Sequence, residues 1–154
     1  MFGLIYWVLF ALVLGFGKHS IAMEPQLPHM TLPDKYDVLA PDGSEIRILS
    51  SLKQASSVHC RLPSQRVSLA TYNKTVSEIW YVLSGEGEIW RKNGNEEHIT
   101  KLKPGTSLAT PAGTHFQFRS LGAQPLDIFI TTLPPWPGNE EAVVVTGPWT
   151  AKLK

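Results

Sequence analysis

The 154-residue chain contains a single cysteine, Cys60. One thiol excludes an intramolecular disulfide framework and a cysteine-rich zinc site. Cys60 lies in Ser57-Val58-His59-Cys60-Arg61-Leu62, an alternating pattern in which it reads as a small core residue, because nothing beside it obviously lowers its pKa. Runs of like charge are also missing: 14 basic and 13 acidic residues are interspersed and leave a formal net charge of +1. A nucleic-acid-binding domain clusters its Lys and Arg, so nucleic acid is not an expected partner, whereas a small molecule or another protein is. No long amphipathic helical pattern is present. The chain has instead 12 Gly, 12 Pro, 5 Trp and many short apolar runs. That mixture suits an all-β domain in which turns interrupt strands about every ten residues.

The densest β signal is Ser77 to Trp90, where two runs of aromatic and β-branched residues flank Gly85-Glu86-Gly87, the pattern of a hairpin. Glu78 stands at the head of its first strand, which is otherwise too apolar to favour a charge. Around it the punctuation is regular. Pro41-Asp42-Gly43 reads as a turn, and Glu45 to Leu49 and Ser57 to Leu62 alternate apolar with polar residues, as does Gln65 to Tyr72. Asn93-Gly94 supplies the positive φ angles of a two-residue hairpin turn, with a strand returning through His98 to Leu102. Short strands are then expected at Ser107 to Thr110, His115 to Arg119 and Leu126 to Thr132. Nine or so short strands with no tolerable open edge predict a closed barrel or a rolled double sheet.

The N-terminal region has a different character. Phe2 to Phe16 is almost unbroken apolar sequence, short for a membrane span, and Ser20 and Ala22 suit signal peptidase. Residues 1–22 are therefore expected to be a cleaved signal peptide, making the protein secreted or periplasmic. Because no Lys or Arg precedes the apolar run, an uncleaved membrane anchor is the alternative. Residues 23–34, with Pro25, Pro28 and Pro33, read as an extended leader, 35–133 as the barrel, and 134–154 as a C-terminal tail packed on it. Pro134-Pro135-Trp136-Pro137-Gly138 cannot sit inside a sheet; Trp136 would anchor the tail, or else serve a homodimer contact.

Two spacings resemble the cupin superfamily. Glu78, six residues, then Gly85 is similar to the second half of the first cupin motif, and Gly105, five residues, then Pro111-Ala112-Gly113 to the start of the second. The resemblance covers about Gln65 to Arg119, extends with Thr114 to Arg119 and Leu133 to Gly138 to a group of small single-domain cupins, and implies a jelly-roll barrel of two antiparallel sheets with its site in the barrel mouth. Metal-binding cupins carry a His-x-His pair three or four residues before the glutamate. Here that pair falls on Tyr72 and Lys74 or on Thr71 and Asn73. The second-motif histidine falls on Phe116, one place after His115, and the closing asparagine on Ser120. A shortened turn would aim His115 inward; otherwise strand alternation turns it to the other face.

The candidate site is therefore Glu78 and His115 as catalytic residues, with Tyr72, Asn73, Trp80, Gln117 and Arg119 as ligand-binding residues. Two strong ligands fall short of the three that a catalytic metal usually takes, so no cofactor is assigned, and a divalent metal on Glu78 and His115 is the alternative. A buried Glu78 needs a partner or a raised pKa, and Arg119, Arg66 and His115 are the candidate partners. His59 and His98 read as structural or surface residues. Asn73-Lys74-Thr75 matches the N-glycosylation pattern. Three functions stay open: a barrel binding a small polar ligand such as a sugar or organic acid, an isomerase- or lyase-type enzyme using Glu78 and His115, and a structural or partner-binding domain.

Overall fold

The computed structural model describes residues 29–153. The expected signal peptide and the first half of the leader lie outside the described residues. Among those residues no helix is long and apolar enough to cross a membrane.

The described residues fold into eleven strands: β1 Val38–Leu39, β2 Glu45–Ser51, β3 Ser56–Leu62, β4 Ala70–Asn73, β5 Ser77–Ser84, β6 Gly87–Asn93, β7 Glu96–Leu102, β8 Ser107–Thr110, β9 His115–Ser120, β10 Leu126–Leu133 and β11 Ala142–Val145. They form two antiparallel sheets, one ordered β1-β2-β3-β10-β5-β8 and the other β11-β4-β9-β6-β7. The alternation read from the sequence sets the faces. On β5, Glu78, Trp80 and Val82 point between the sheets, and Ile79, Tyr81 and Leu83 point out. Facing them across the gap are Phe116 and Phe118 of β9 and Ile89 of β6. Together with Cys60, Leu62, Ile128 and Ile130 they make one continuous core.

The hairpin around Glu86 shows why its glycines are needed. Gly85 adopts φ of 79°, and a Cβ there would come 2.2 Å from the Pro125 carbonyl oxygen. Gly87 needs its bare Cα for a different reason: its Cβ would meet the Arg119 carbonyl oxygen at 2.2 Å. The motif glycine of this hairpin is thus a packing requirement between two strand ends.

Two elements depart from the sequence expectation. The strand expected from Gln65 begins only at Ala70: Gln65 takes a positive φ and donates its side-chain amide to the Leu121 carbonyl, and Val67 makes only isolated bridges to Arg119 and Lys152. The tail contains a strand of its own, β11, which pairs with β4 in the register Ala142 to Asn73 through Val145 to Ala70. Just before it, Glu141 is buried and accepts hydrogen bonds from the backbone N–H groups of Thr75 and Val76, capping the β4–β5 corner. Glu141→Ala leaves both donors unpaired and is expected to cost about 1–3 kcal/mol, read as a lowered urea midpoint with an unchanged slope. A midpoint equal to the parent's would show that water replaces the carboxylate at no cost.

Candidate functional site

Between the sheets, at the end where β2, β3, β4 and β5 open, lies a cavity of about 480 Å³. Its walls are mostly apolar, with Trp80, Phe116 and Phe118 along one side and Val58 and Ile130 along another. The turn before β2 and the tail segment around Trp136 border it as well, and the Trp136 backbone N–H is tied to Ser56 Oγ at 3.0 Å. Among the described residues, neither Lys, Arg nor His lines it.

Glu78 is the central polar group. It is 7% exposed and is flanked on β5 by its ladder neighbours Thr132 of β10 and Thr110 of β8. Trp80 Nε1 donates to Glu78 Oε2 at 2.8 Å, which two residues on the same strand face can do because alternation brings i and i+2 side by side. Burial drives the carboxyl pKa up from 4.5 to about 7, and the Trp80 hydrogen bond and the nearby Asn73 amide only partly counter it. Asn73, 3% exposed, lines the same cavity, yet its Nδ2 closes no hydrogen bond with any protein group. Its influence on Glu78 is that of a close amide dipole short of a full hydrogen bond. The site therefore offers a donor, Asn73 Nδ2, next to an acceptor, Glu78 Oε1, which accepts no hydrogen bond among the described residues.

Further polar residues face the cavity, Asp42, Ser44 and Cys60 among them. Asp42 Oδ1 accepts from the Ser44 N–H at 2.8 Å and from Ser44 Oγ at 2.7 Å, and burial raises its pKa. The Cys60 thiol is pushed well up by burial and by the neighbouring Asp42 and Glu78 carboxyls, so it is inert as a nucleophile. Asp42 and Ser44 read in the sequence only as a turn, and nothing in a Pro-Asp-Gly-Ser string tells an inward carboxylate from a solvated one.

The expected site residues divide between two faces. Glu78, Asn73 and Trp80 come together in the cavity. Tyr72, His115, Gln117 and Arg119 do not: on β4 and β9 it is Thr71, Asn73, Phe116 and Phe118 that point inward, which puts those four on the opposite side of the sheet. His115 stacks on Tyr72 with ring centroids 5.1 Å apart. Gln117 brackets the tail, donating to the Ser68 and Trp149 carbonyls at 2.8 Å and accepting from the Trp149 N–H at 3.0 Å. Arg119 lies 4.2 Å over the Trp149 ring and pairs with Glu88. The Pro111-Ala112-Gly113-Thr114 turn is thus not shortened, and pairing of Glu78 with His115, Arg119 or Arg66 is corrected: its partner is Trp80. Asn73 of the Asn-Lys-Thr pattern is buried, at 3% exposed.

Those positions also settle the chemistry open to a metal. Where a metal-binding cupin would place its three histidines and glutamate, this chain presents Thr71, Asn73, Phe116 and Glu78. A hydroxyl, an amide, a phenyl ring and one carboxylate do not fit a catalytic transition metal, which wants imidazole or several carboxylates. Among the described residues no three His, Cys, Asp or Glu side chains converge.

Comparison with known proteins agrees with the two-sheet architecture. Residues 58–132 match the family model described as "Cupin domain". The barrel is a cupin domain. No curated protein matches the chain. Among solved structures it is similar to oxalate decarboxylase from Bacillus subtilis at pH 4.6, with a TM-score of 0.63 and 14% identity over 73% of this chain and 30% of that one. The coconut allergen cocosin gives a TM-score of 0.59 and 21% identity, covering 68% of this chain and 30% of cocosin. An uncharacterised Klebsiella pneumoniae protein with a double-stranded β-helix domain gives 0.55 and 19%, covering 70% of this chain and 89% of its own. The chain thus spans less than a third of cocosin and of oxalate decarboxylase, and identities this low carry the fold alone.

Proposed function

We propose that this cupin domain binds a small, uncharged, largely apolar molecule whose polar end carries a hydroxyl or carbonyl group. The observation that carries the reading is the unpaired Asn73 Nδ2 beside the free oxygen of Glu78, at the wall of an apolar cavity of about 480 Å³. Cavities of that size and lining, with a few convergent polar groups, are the usual form of small-molecule sites. A hydroxyl donates to Glu78 and accepts from Asn73, which satisfies both groups at once. Of the two ligand classes that the sequence leaves open, a sugar and an organic acid, the neutral one fits better than the acid, and the apolar walls favour a compound with fewer hydroxyls than a sugar. An anion would enter a cavity with two carboxyls, Asp42 and Glu78, and no cation in its lining. The apolar run Phe2 to Phe16 supports action outside the cytoplasm.

A thermal-shift panel of neutral phenols, alcohols and ketones beside matched carboxylic acids tests the reading. Neutral compounds are expected to raise Tm by mass action, and the acids are not. Asn73→Ala is expected to weaken the best neutral binder about tenfold, the worth of one buried hydrogen bond. Stabilisation by the acids alone, or a hit indifferent to Asn73→Ala, would place the ligand elsewhere.

A further inference from the structure

The polar end of the cavity has the parts of a proton-transfer site as well as those of a binding site. Glu78 lines the cavity and, among the described residues, is held by one oxygen: Trp80 Nε1 donates to Oε2, and Oε1 accepts no hydrogen bond. Asn73 Nδ2 is a buried donor that approaches the Glu78 carboxyl without closing a hydrogen bond. The surrounding wall of Trp80, Phe116, Phe118 and Ile130 is apolar, which strengthens the electrostatic interactions of whatever charge forms between the two groups. We propose that the pair isomerises a neutral, enolisable carbonyl compound by a proton shift, with Glu78 as the base and Asn73 as the oxyanion donor. This rests on the binding site described above and names its substrate class.

The step balances without a co-reactant. The carbonyl oxygen accepts a hydrogen bond from Asn73 Nδ2. Glu78 Oε1 takes a proton from the carbon beside the carbonyl; that C–H bond breaks, and its electron pair moves into the C–C bond as the carbonyl becomes an enolate. Asn73 holds the developing oxyanion, and a donor already in place at that oxygen needs no reorganisation as charge arrives. The protonated Glu78 then returns the proton to a different carbon of the conjugated enolate, and the carbonyl re-forms. The carboxyl ends as it began. Burial supports the assignment, because a carboxyl that titrates near neutrality is matched to both halves of the cycle. The other titratable groups at the cavity are Asp42, from the turn before β2, and Cys60, from β3, and both lie close enough to affect Glu78 or be affected by it. His115 has no part in the step, since it sits on the other side of its sheet.

The full chain is incubated with β,γ-cyclohexenone, and formation of the conjugated enone is followed by ultraviolet absorbance, with deuterium uptake from heavy water as a second readout. Binding of p-cresol, a phenol that mimics the enol, is measured in parallel by calorimetry. The parent is expected to speed conjugation and exchange above buffer, with a rate that rises with pH as Glu78 ionises. Glu78→Gln is expected to lower the rate by about 100-fold while p-cresol still binds, and Asn73→Ala by about tenfold or more. Asp42→Asn is expected to move the pH midpoint of the reaction down, because the Asp42 carboxyl helps to raise the Glu78 pKa. Binding of p-cresol without conjugation or exchange would overturn the isomerase and leave the binding reading standing. No binding of either compound would overturn both, and turnover unchanged in Glu78→Gln would assign the base to another residue.

Discussion

Trp80→Ala is expected to lower the stability of the domain by about 3–5 kcal/mol, the range for emptying a large aromatic site in a packed core. The side chain is 1% exposed and stands edge-on to two rings, Phe116 at 5.6 Å and Phe118 at 5.1 Å. Those contacts join β5 of one sheet to β9 of the other, so the loss falls on the seam between sheets and cannot be absorbed by a surface shift. The substitution also removes the N–H that steadies Glu78 Oε2. Trp80→Phe separates the two contributions. It keeps most of the ring packing and loses the donor, so it is expected to cost less, about 1–2 kcal/mol, and to push the Glu78 pKa further up. Urea unfolding of the two variants measures this, and a Trp80→Ala loss below about 1 kcal/mol would mean that the sheets close over the vacancy.

The barrel was legible because its strands announce themselves twice, by period-two alternation and by the turns between them. Asn93-Gly94 and Lys103-Pro104-Gly105 mark the ends of β6, β7 and β8 closely, and the glycines at Gly85 and Gly87 are explained by carbonyls that crowd them. The strand β11 was not legible. It follows a Pro-rich segment that reads as tail, and its pairing with β4 spans some 70 residues of sequence, a contact that local pattern does not encode.

The site was legible to the extent that one charge stood in the wrong place. Glu78 in an apolar strand implied burial, and Trp80, at the same parity, came with it. His115 was different. Whether it faces in or out depends on a single residue of turn length before β9, and the two outcomes have the same composition. With the turn at full length the inward place is taken by Phe116, which packs edge-on against Trp80 where a ligand histidine would otherwise stand. That substitution makes the mouth of the barrel an apolar chamber, and it is the reason why Glu78 is so strongly desolvated. Asp42 escaped notice for a related cause: a turn motif specifies a backbone shape, and only the packing of that turn over β3 carries its carboxyl inside.

Glu78→Gln is therefore expected to stabilise the domain above neutral pH by about 3 kcal/mol and to leave it unchanged in acid. The sign follows from the direction of the shift. The folded state holds the Glu78 proton up to about pH 7, whereas an unfolded glutamate releases it near 4.5. Between those values the unfolded chain binds fewer protons than the folded one, so the parent loses stability as pH rises. At about 1.4 kcal/mol for each pH unit the loss reaches roughly 3 kcal/mol once Glu78 is ionised, and it stays there at higher pH. Glutamine never ionises, and its side-chain carbonyl can still accept from Trp80 Nε1, so the variant keeps the packing and escapes the loss. No buried cation is orphaned by the change, because the Glu78 partner is an indole N–H and not an arginine. Asp42, His59 and Asp127 also have shifted pKa values, but they titrate in both proteins and largely cancel in the difference. Chemical denaturation of parent and variant from pH 4.5 to 8.5 should give curves that meet in acid and separate through pH 5 to 7. Curves that run parallel across the whole range would show that Glu78 is already ionised in the folded protein at low pH, and so solvated, which would remove both the base and the donor–acceptor pair from the cavity wall.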